Sequence, residues 1–232
     1  MTEDFQMRPI LITGAARSGT SMTAGIFNIC GAWGGKLTGP TPYNRKGQFE
    51  NVTIRNGLIK EILKNMGLDP MAQDPLPKTS DFQLFSNLAI ENFRIAVLRI
   101  IRAQGYREGR WFYKGAKMCL MWPLWHRAFP EAKWIVVRRK KEDIVNSCLR
   151  TSFMRAFNNA EGWGKWVDYH IECFLEMAMY GLDIDYIWPI NMIGRDLSEA
   201  KKIIECTGLT FNEEKVLEFI EPALWSGKKI GG

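Results

Sequence analysis

Near its start the chain carries an apolar run, Pro9-Ile10-Leu11-Ile12-Thr13, followed directly by Gly14-Ala15-Ala16-Arg17-Ser18-Gly19-Thr20-Ser21. A strand that ends in a glycine-rich turn and opens into a helix commits a chain to α/β architecture. It also aims the backbone N–H groups of the turn, and the positive end of the helix, at one point, which makes an anion site. The commonest phosphate-binding turn reads G-x-x-x-x-G-K-[ST], with its lysine on the β and γ phosphates. Here Thr20 follows Gly19, and the cation is Arg17. Transfer of a γ-phosphoryl group would miss that lysine; gripping one 5′-phosphate that bears a different transferable group would not. On this reading the backbone of residues 16–21 and the Thr20 and Ser21 hydroxyls receive a phosphate. A tight strand-to-helix connection without a ligand is the competing reading of the turn taken alone.

Hydrophobic periodicity extends the α/β pattern. A helix is expected over 18–30, with Met22, Ile26 and Ile29 inward, then a Gly/Pro/Thr-rich loop to Gly47. Helices follow over 51–66, stopped by Gly67, and over 83–104, stopped by Gly105; residues 70–77 read as loop. Trp111–Lys114 and Lys133–Val137 read as strands around a short helical piece at 120–129, and helices are expected over 141–155 and 162–181. A late strand is expected at Tyr186–Ile190, its Pro189 suiting an edge or strand end. Asp196 and Ser198 start a helix to Cys206, and Asn212 caps a last one to Ile220. The alternation implies one domain over 1–232, in which helices flank a central parallel sheet in three layers and ligands meet the carboxyl ends of the strands.

The 232 residues suffice to bury about 70–75% of the unfolded surface. A net charge of +6 is spread along the chain except at Arg138-Arg139-Lys140-Lys141, which favours an anionic ligand without requiring nucleic acid. Five scattered cysteines and two histidines, His126 and His170, argue against a zinc site or a disulfide framework. Both histidines read as packing or surface residues. No apolar stretch approaches the roughly 18 residues of a membrane helix, and the acidic Met1-Thr2-Glu3-Asp4 leads straight to the first strand; a cytoplasmic protein with no membrane partner is expected.

A second constellation follows the Lys133–Val137 strand. Arg138 or Arg139 leaves the strand end, and Ser147 lies in the first turns of the next helix, where an arginine fork and a hydroxyl can converge on one anion. A solvated basic strip is the alternative.

Together the two segments resemble the sulfotransferase family that uses 3′-phosphoadenosine 5′-phosphosulfate, closest to its bacterial-type members. The family's [RK]-S-G-T-[ST] core, which binds the 5′-phosphosulfate, matches Arg17-Ser18-Gly19-Thr20-Ser21, with Gly14 and Ala16 in the same turn. Its R-D-P-x-D-x-x-x-S pattern, which binds the 3′-phosphate, matches Arg139, Asp143 and Ser147, with Lys140-Lys141 in place of Asp-Pro. With Arg138 adjacent, the register of the phosphate-binding arginine stays open by one residue. Lys46-Gly47-Gln48-Phe49-Glu50, Trp111-Phe112-Tyr113-Lys114 and Gly208-Leu209 extend the likeness over residues 9–225.

The resemblance implies sulfuryl transfer from that donor to a hydroxyl or amine of a small-molecule or glycan acceptor, without metal. It implies Glu50 as base, with Arg17 and Lys114 over the transferring group. Glu50 also reads as a helix N-terminal acid, and Lys114 as a strand-end surface lysine. Among Trp33, Trp122, Trp125, Trp163 and Trp166, contact with the acceptor competes with a place in the core. The glycine-rich basic stretch Ser226–Gly232 is similar to a tail that closes over the nucleotide in some relatives. A small-substrate kinase would need the missing lysine and an aspartate at a strand end. A non-catalytic nucleotide- or nucleic-acid-binding module would rest on residues 138–141 alone.

Overall fold

The computed structural model describes residues 8–225; the tail from Ser226 lies outside them. Four strands, β1 (Ile10–Thr13), β2 (Phe112–Lys114), β3 (Lys133–Val137) and β4 (Ile184–Ile187), form one parallel sheet in the order β2-β1-β3-β4. The period of two along each strand sorts its side chains between two cores. Ile10, Ile12, Phe112, Ile135 and Val137 face the helices Thr20–Ile29, Ser198–Cys206 and Glu213–Phe219. Leu11, Tyr113, Trp134 and Val136 face the opposite layer, which holds the helices Asn87–Ala103 and Trp122–Ala128 and part of Ala160–Met179. Fully buried aliphatics of this kind contribute about 1.5–3 kcal/mol each, which makes the three-layer arrangement the way to bury both sheet faces.

The strand order puts a topological switch between β1 and β3. The chain leaves β1 for β2 on one side and returns to β3 on the other, so the crevice for a ligand opens at the carboxyl ends of these strands. The registers Ile12↔Lys114 and Thr13↔Val136 bring Gly14, Lys114 and the residues after Val137 to that same edge. The Thr13 hydroxyl ties it together, donating to the Gly115 carbonyl at 3.0 Å and accepting from the Cys119 N–H at 3.0 Å.

Several boundaries depart from expectation. The late strand ends at Ile187, and Pro189 instead opens a short helix, Pro189–Ile193, at the first-turn position where a missing N–H costs nothing. The helix after β3 stops at Leu149 rather than running to 155. Beyond it, residues 151–157 fold over the Gln73 side chain, which donates to the Phe153 carbonyl and accepts from the Arg155 and Ala156 N–H groups. A separate short helix, Thr79–Gln83, takes the first residue of the helix expected over 83–104, which itself starts at Asn87 behind a Ser86 cap. The helix over 52–65 is π-helical from Arg55 to Ile59. Its start is pinned by buried Asn51, whose side chain accepts from Ile54 N–H and donates to the Gly34 carbonyl and to Gln104 Oε1. Among the described residues no helix is long and apolar enough to cross a membrane.

Candidate functional site

The turn after β1 is built around close approach. A Cβ on Gly14 would lie 2.7 Å from the Val137 carbonyl oxygen, so only glycine lets β1 and β3 run out side by side here. Arg17 adopts φ 71°, in the left-handed region that non-glycine residues enter at a cost of about 1–2 kcal/mol. The turn holds it there: Ser18 N–H bonds back to the Ala15 carbonyl, and an Arg139 guanidinium N–H donates to the Arg17 carbonyl at 2.9 Å. Gly19, at φ 103°, precedes the helix Thr20–Ile29, and no side chain among the described residues caps the first turn. The leading N–H groups of that helix are left for a ligand or solvent.

Arg17, Arg139 and Ser147, although 122 and 130 residues apart in the chain, meet at this turn. Arg17 Nε donates to the Ser147 hydroxyl at 3.0 Å. The Arg139 guanidinium lies 4.2 Å from the centre of the Trp225 ring, with Asp143 at 3.9 Å. Burial holds Arg139 below the ordinary arginine range; Arg17 and Arg150 add to the effect against the opposing pull of Asp143. Three guanidinium groups thus crowd a site that an anion would relieve.

A cavity of about 840 Å³ opens from the turn. Ala16, Arg17, Gly19, Thr20, Ser21, Arg139 and Ser147 line it, and so do Glu50 and Lys114. Gly14 and Ser18 do not. Gly14 serves the backbone contact above, and the Ser18 hydroxyl is fully buried without a hydrogen-bond partner among the described residues. Arg138 is also turned away, its guanidinium lying against the rings of Phe174, Tyr186 and Trp188. The alternation of β3 explains the choice: Arg138 continues on the side of Trp134 and Val136, and Arg139 turns back toward β1.

Glu50 stands at the end of the glycine-rich loop, 13% exposed, between two cations. Its Oε1 accepts from Lys114 Nζ at 3.0 Å and its Oε2 from Arg55 at 3.2 Å. Burial would raise its pKa, but Lys114, Lys117 and Arg55 outweigh burial and hold the carboxyl at about 2. The π-helical turn begins at Arg55, and Lys60 follows it; both line the same wall. Neither Arg55 nor Lys60 stands in a motif that the sequence could flag. Among the described residues nine cationic side chains line the cavity, the remaining ones being Arg45, Lys46 and Arg150, against the carboxylates Glu50 and Glu221. Glu221 is itself paired with Lys46 at 3.4 Å.

The far wall is less polar. Of the five tryptophans singled out above only Trp166 lines the cavity; Trp125 and Trp163 lie at 0% exposure in the core. His170 also lines it, 1% exposed. Its Nδ1 is 2.8 Å from the Trp166 carbonyl, and burial pushes its pKa down to about 4, so the ring is neutral near pH 7 with Nδ1–H as the donor. His126 packs beside Trp122 and Tyr180, away from the cavity. Trp225, in the last described segment, is a wall residue that no pattern in the sequence marks.

No family model matches the sequence, and no curated protein sequence matches it. Solved structures do match in three dimensions. A sulfotransferase domain from the Synechococcus PCC 7002 olefin synthase is 14% identical, with 98% of this chain and 90% of that chain covered and a TM-score of 0.57. The chain has a sulfotransferase fold. Sulfotransferase STF9 from Mycobacterium avium is 15% identical over 91% of this chain and 67% of that chain, with a TM-score of 0.56. The sulfotransferase domain from the curacin biosynthetic pathway is 13% identical over 97% and 82%, with a TM-score of 0.56.

Proposed function

We propose that this protein is a sulfotransferase that moves a sulfuryl group from 3′-phosphoadenosine 5′-phosphosulfate to a hydroxyl or amine acceptor. One observation carries the reading: within this fold, Ala16, Arg17 and Gly19–Ser21 of the turn, Arg139 and Ser147 face one cation-lined cavity at the carboxyl ends of β1 and β3. The uncapped helix start and Arg17 suit the 5′-phosphosulfate, and Arg139 with Ser147 suits the 3′-phosphate. The donor set fits such a ligand, since cations outnumber carboxylates in the wall and each wall carboxylate already faces a cation.

The donor brings a sulfuryl group on a good leaving group, 3′-phosphoadenosine 5′-phosphate. Transfer breaks the bond from sulfur to the bridging oxygen and forms one from sulfur to the acceptor oxygen or nitrogen, and the acceptor proton passes to Glu50. Lys114 balances the charge that grows on the leaving phosphate, a fixed electrostatic role of the kind that dominates such catalysis. The two residues are coupled. While Lys114 sits on Glu50 the carboxylate is ionised but a weak base. Drawing Lys114 toward the phosphosulfate removes the main cation holding the Glu50 pKa low and raises its proton affinity where the acceptor must bind.

The test is single-turnover transfer of isotopically labelled sulfuryl to a panel of hydroxyl acceptors. Wild-type protein labels at least one acceptor, and Glu50→Gln retains donor binding but loses most of the transfer rate. Full transfer by Glu50→Gln would remove the base, and no transfer from a bound donor to any acceptor class would remove the activity.

A further inference from the structure

Apart from Arg45 and Lys46, the cations of the cavity fall into two groups, and the proposed donor accounts for one. Arg17, Arg139 and Arg150 surround the turn and Ser147. Arg55, Lys114 and Lys117 surround Glu50, and Lys60 lies beside Lys117 on the same wall. Among the described residues nine cations against two carboxylates leave the wall with a formal excess of seven. A 3′-phosphate carries close to two negative charges and a phosphosulfate two more, about four in all. Roughly three positive charges remain unmatched after the donor binds.

The surplus lies where the acceptor must lie. The Glu50 carboxylate is satisfied by Lys114 and Arg55. Lys60 and Lys117 make no ion pair or hydrogen bond among the described residues, though both line the cavity and both are largely shielded from bulk solvent. Burial lowers the Lys117 pKa; Lys60, Arg55 and Lys114 lower it further, and Glu50 alone opposes them. Packing unpaired lysines against one another costs stability unless a ligand repays it, as an anion on this wall would.

Resting on the donor assignment above, we infer that the acceptor is itself anionic, with a carboxylate, phosphate or sulfate group that Lys60 and Lys117 hold while its hydroxyl faces Glu50. Neutral phenols and unsubstituted sugars leave this surplus unmatched; sugar acids, hydroxy acids and already sulfated or phosphorylated glycans match it.

The experiment runs in two calorimetric steps with wild type, Lys60→Gln/Lys117→Gln, and a control, Lys201→Gln/Lys202→Gln, whose exposed lysines lie outside the cavity. First, 3′-phosphoadenosine 5′-phosphate is titrated alone; all three proteins are expected to bind it within about twofold of one another. Failure of wild type here overturns the donor assignment and this inference with it. Second, inorganic pyrophosphate is titrated into protein saturated with the bisphosphate. Wild type and control are expected to bind it, and Lys60→Gln/Lys117→Gln at least tenfold more weakly. Equal affinity in that double variant, or no binding by wild type, overturns the anionic acceptor while leaving the donor assignment intact. In transfer assays a phenol bearing a carboxylate should show a lower KM than the same phenol bearing an amide, and the double variant should erase the difference through KM. A preference for the amide would refute the inference.

Discussion

Replacing Glu50 by glutamine tests the electrostatics of the site without needing the acceptor. The ordinary glutamate value is 4.5, and here the carboxyl is held at about 2. At about 1.4 kcal/mol per pKa unit, that difference corresponds to about 3 kcal/mol of stability at neutral pH. Because Glu50 is only 13% exposed, solvent screening removes little of it. Glutamine keeps one oxygen that accepts from Lys114 or Arg55 but no charge, which leaves buried cations unmatched. Breaking one side of such a pair is the costly way to remove it. Glu50→Gln is therefore expected to unfold more easily in urea by about 2–3 kcal/mol at pH 7.

The pH dependence has a definite direction. A carboxyl whose folded pKa is depressed stabilises fully above its unfolded value and loses that contribution as pH falls toward the folded one. The gap between wild type and variant should thus be flat from pH 7 to about 5, narrow below about 4.5, and reach less than half its size near pH 3. Saturating 3′-phosphoadenosine 5′-phosphate or pyrophosphate should stabilise the variant more than the wild type, since either supplies the missing anion. A variant within 0.5 kcal/mol of wild type at pH 7, by the ~1 kcal/mol standard of ordinary substitutions, would refute the picture of a carboxylate compensating buried cations.

Three further outcomes follow from named contacts. Arg139→Ala removes a guanidinium that braces the Arg17 carbonyl and is expected to weaken bisphosphate binding by about 10–100-fold, and Ser147→Ala by up to about tenfold, both read by calorimetry. Gly14→Ala would force a Cβ to within 2.7 Å of the Val137 carbonyl, so chemical denaturation should show a loss of about 1–3 kcal/mol together with weaker bisphosphate binding. Asn51→Ala removes a buried cap and two donated hydrogen bonds; a loss of about 2 kcal/mol, seen as a thermal midpoint several degrees lower, is expected.

Local chemistry decided which parts of this molecule could be read from its sequence. β3 falls on residues 133–137 as expected, because an unbroken apolar run bounded by charge has no other economical use in an α/β chain. β4 was harder. Asp185 interrupts its apolar pattern, and Pro189 marks the start of a helix after it rather than a position within it. The path of the chain after the Lys141–Leu149 helix is held by Gln73, some eighty residues away in the chain, which no local periodicity can report. In the site, the turn at Gly14–Ser21 was legible because backbone geometry and glycine placement are written locally. Strand parity, continued past Val137, distinguishes Arg138 from Arg139. Of the cations near Glu50, Lys114 was legible but Arg55 and Lys60 were not, since they reach the cavity from a helix whose π-helical middle has no sequence signature; Lys117 reaches it from the turn after β2.

The most direct test of the donor assignment is calorimetric titration of the protein with 3′-phosphoadenosine 5′-phosphate, beside ATP with Mg²⁺, at physiological salt. The site described here should bind the bisphosphate in the micromolar range (about −8 kcal/mol) without metal and bind ATP much more weakly. Preference for Mg-ATP, or binding of neither, would contradict it.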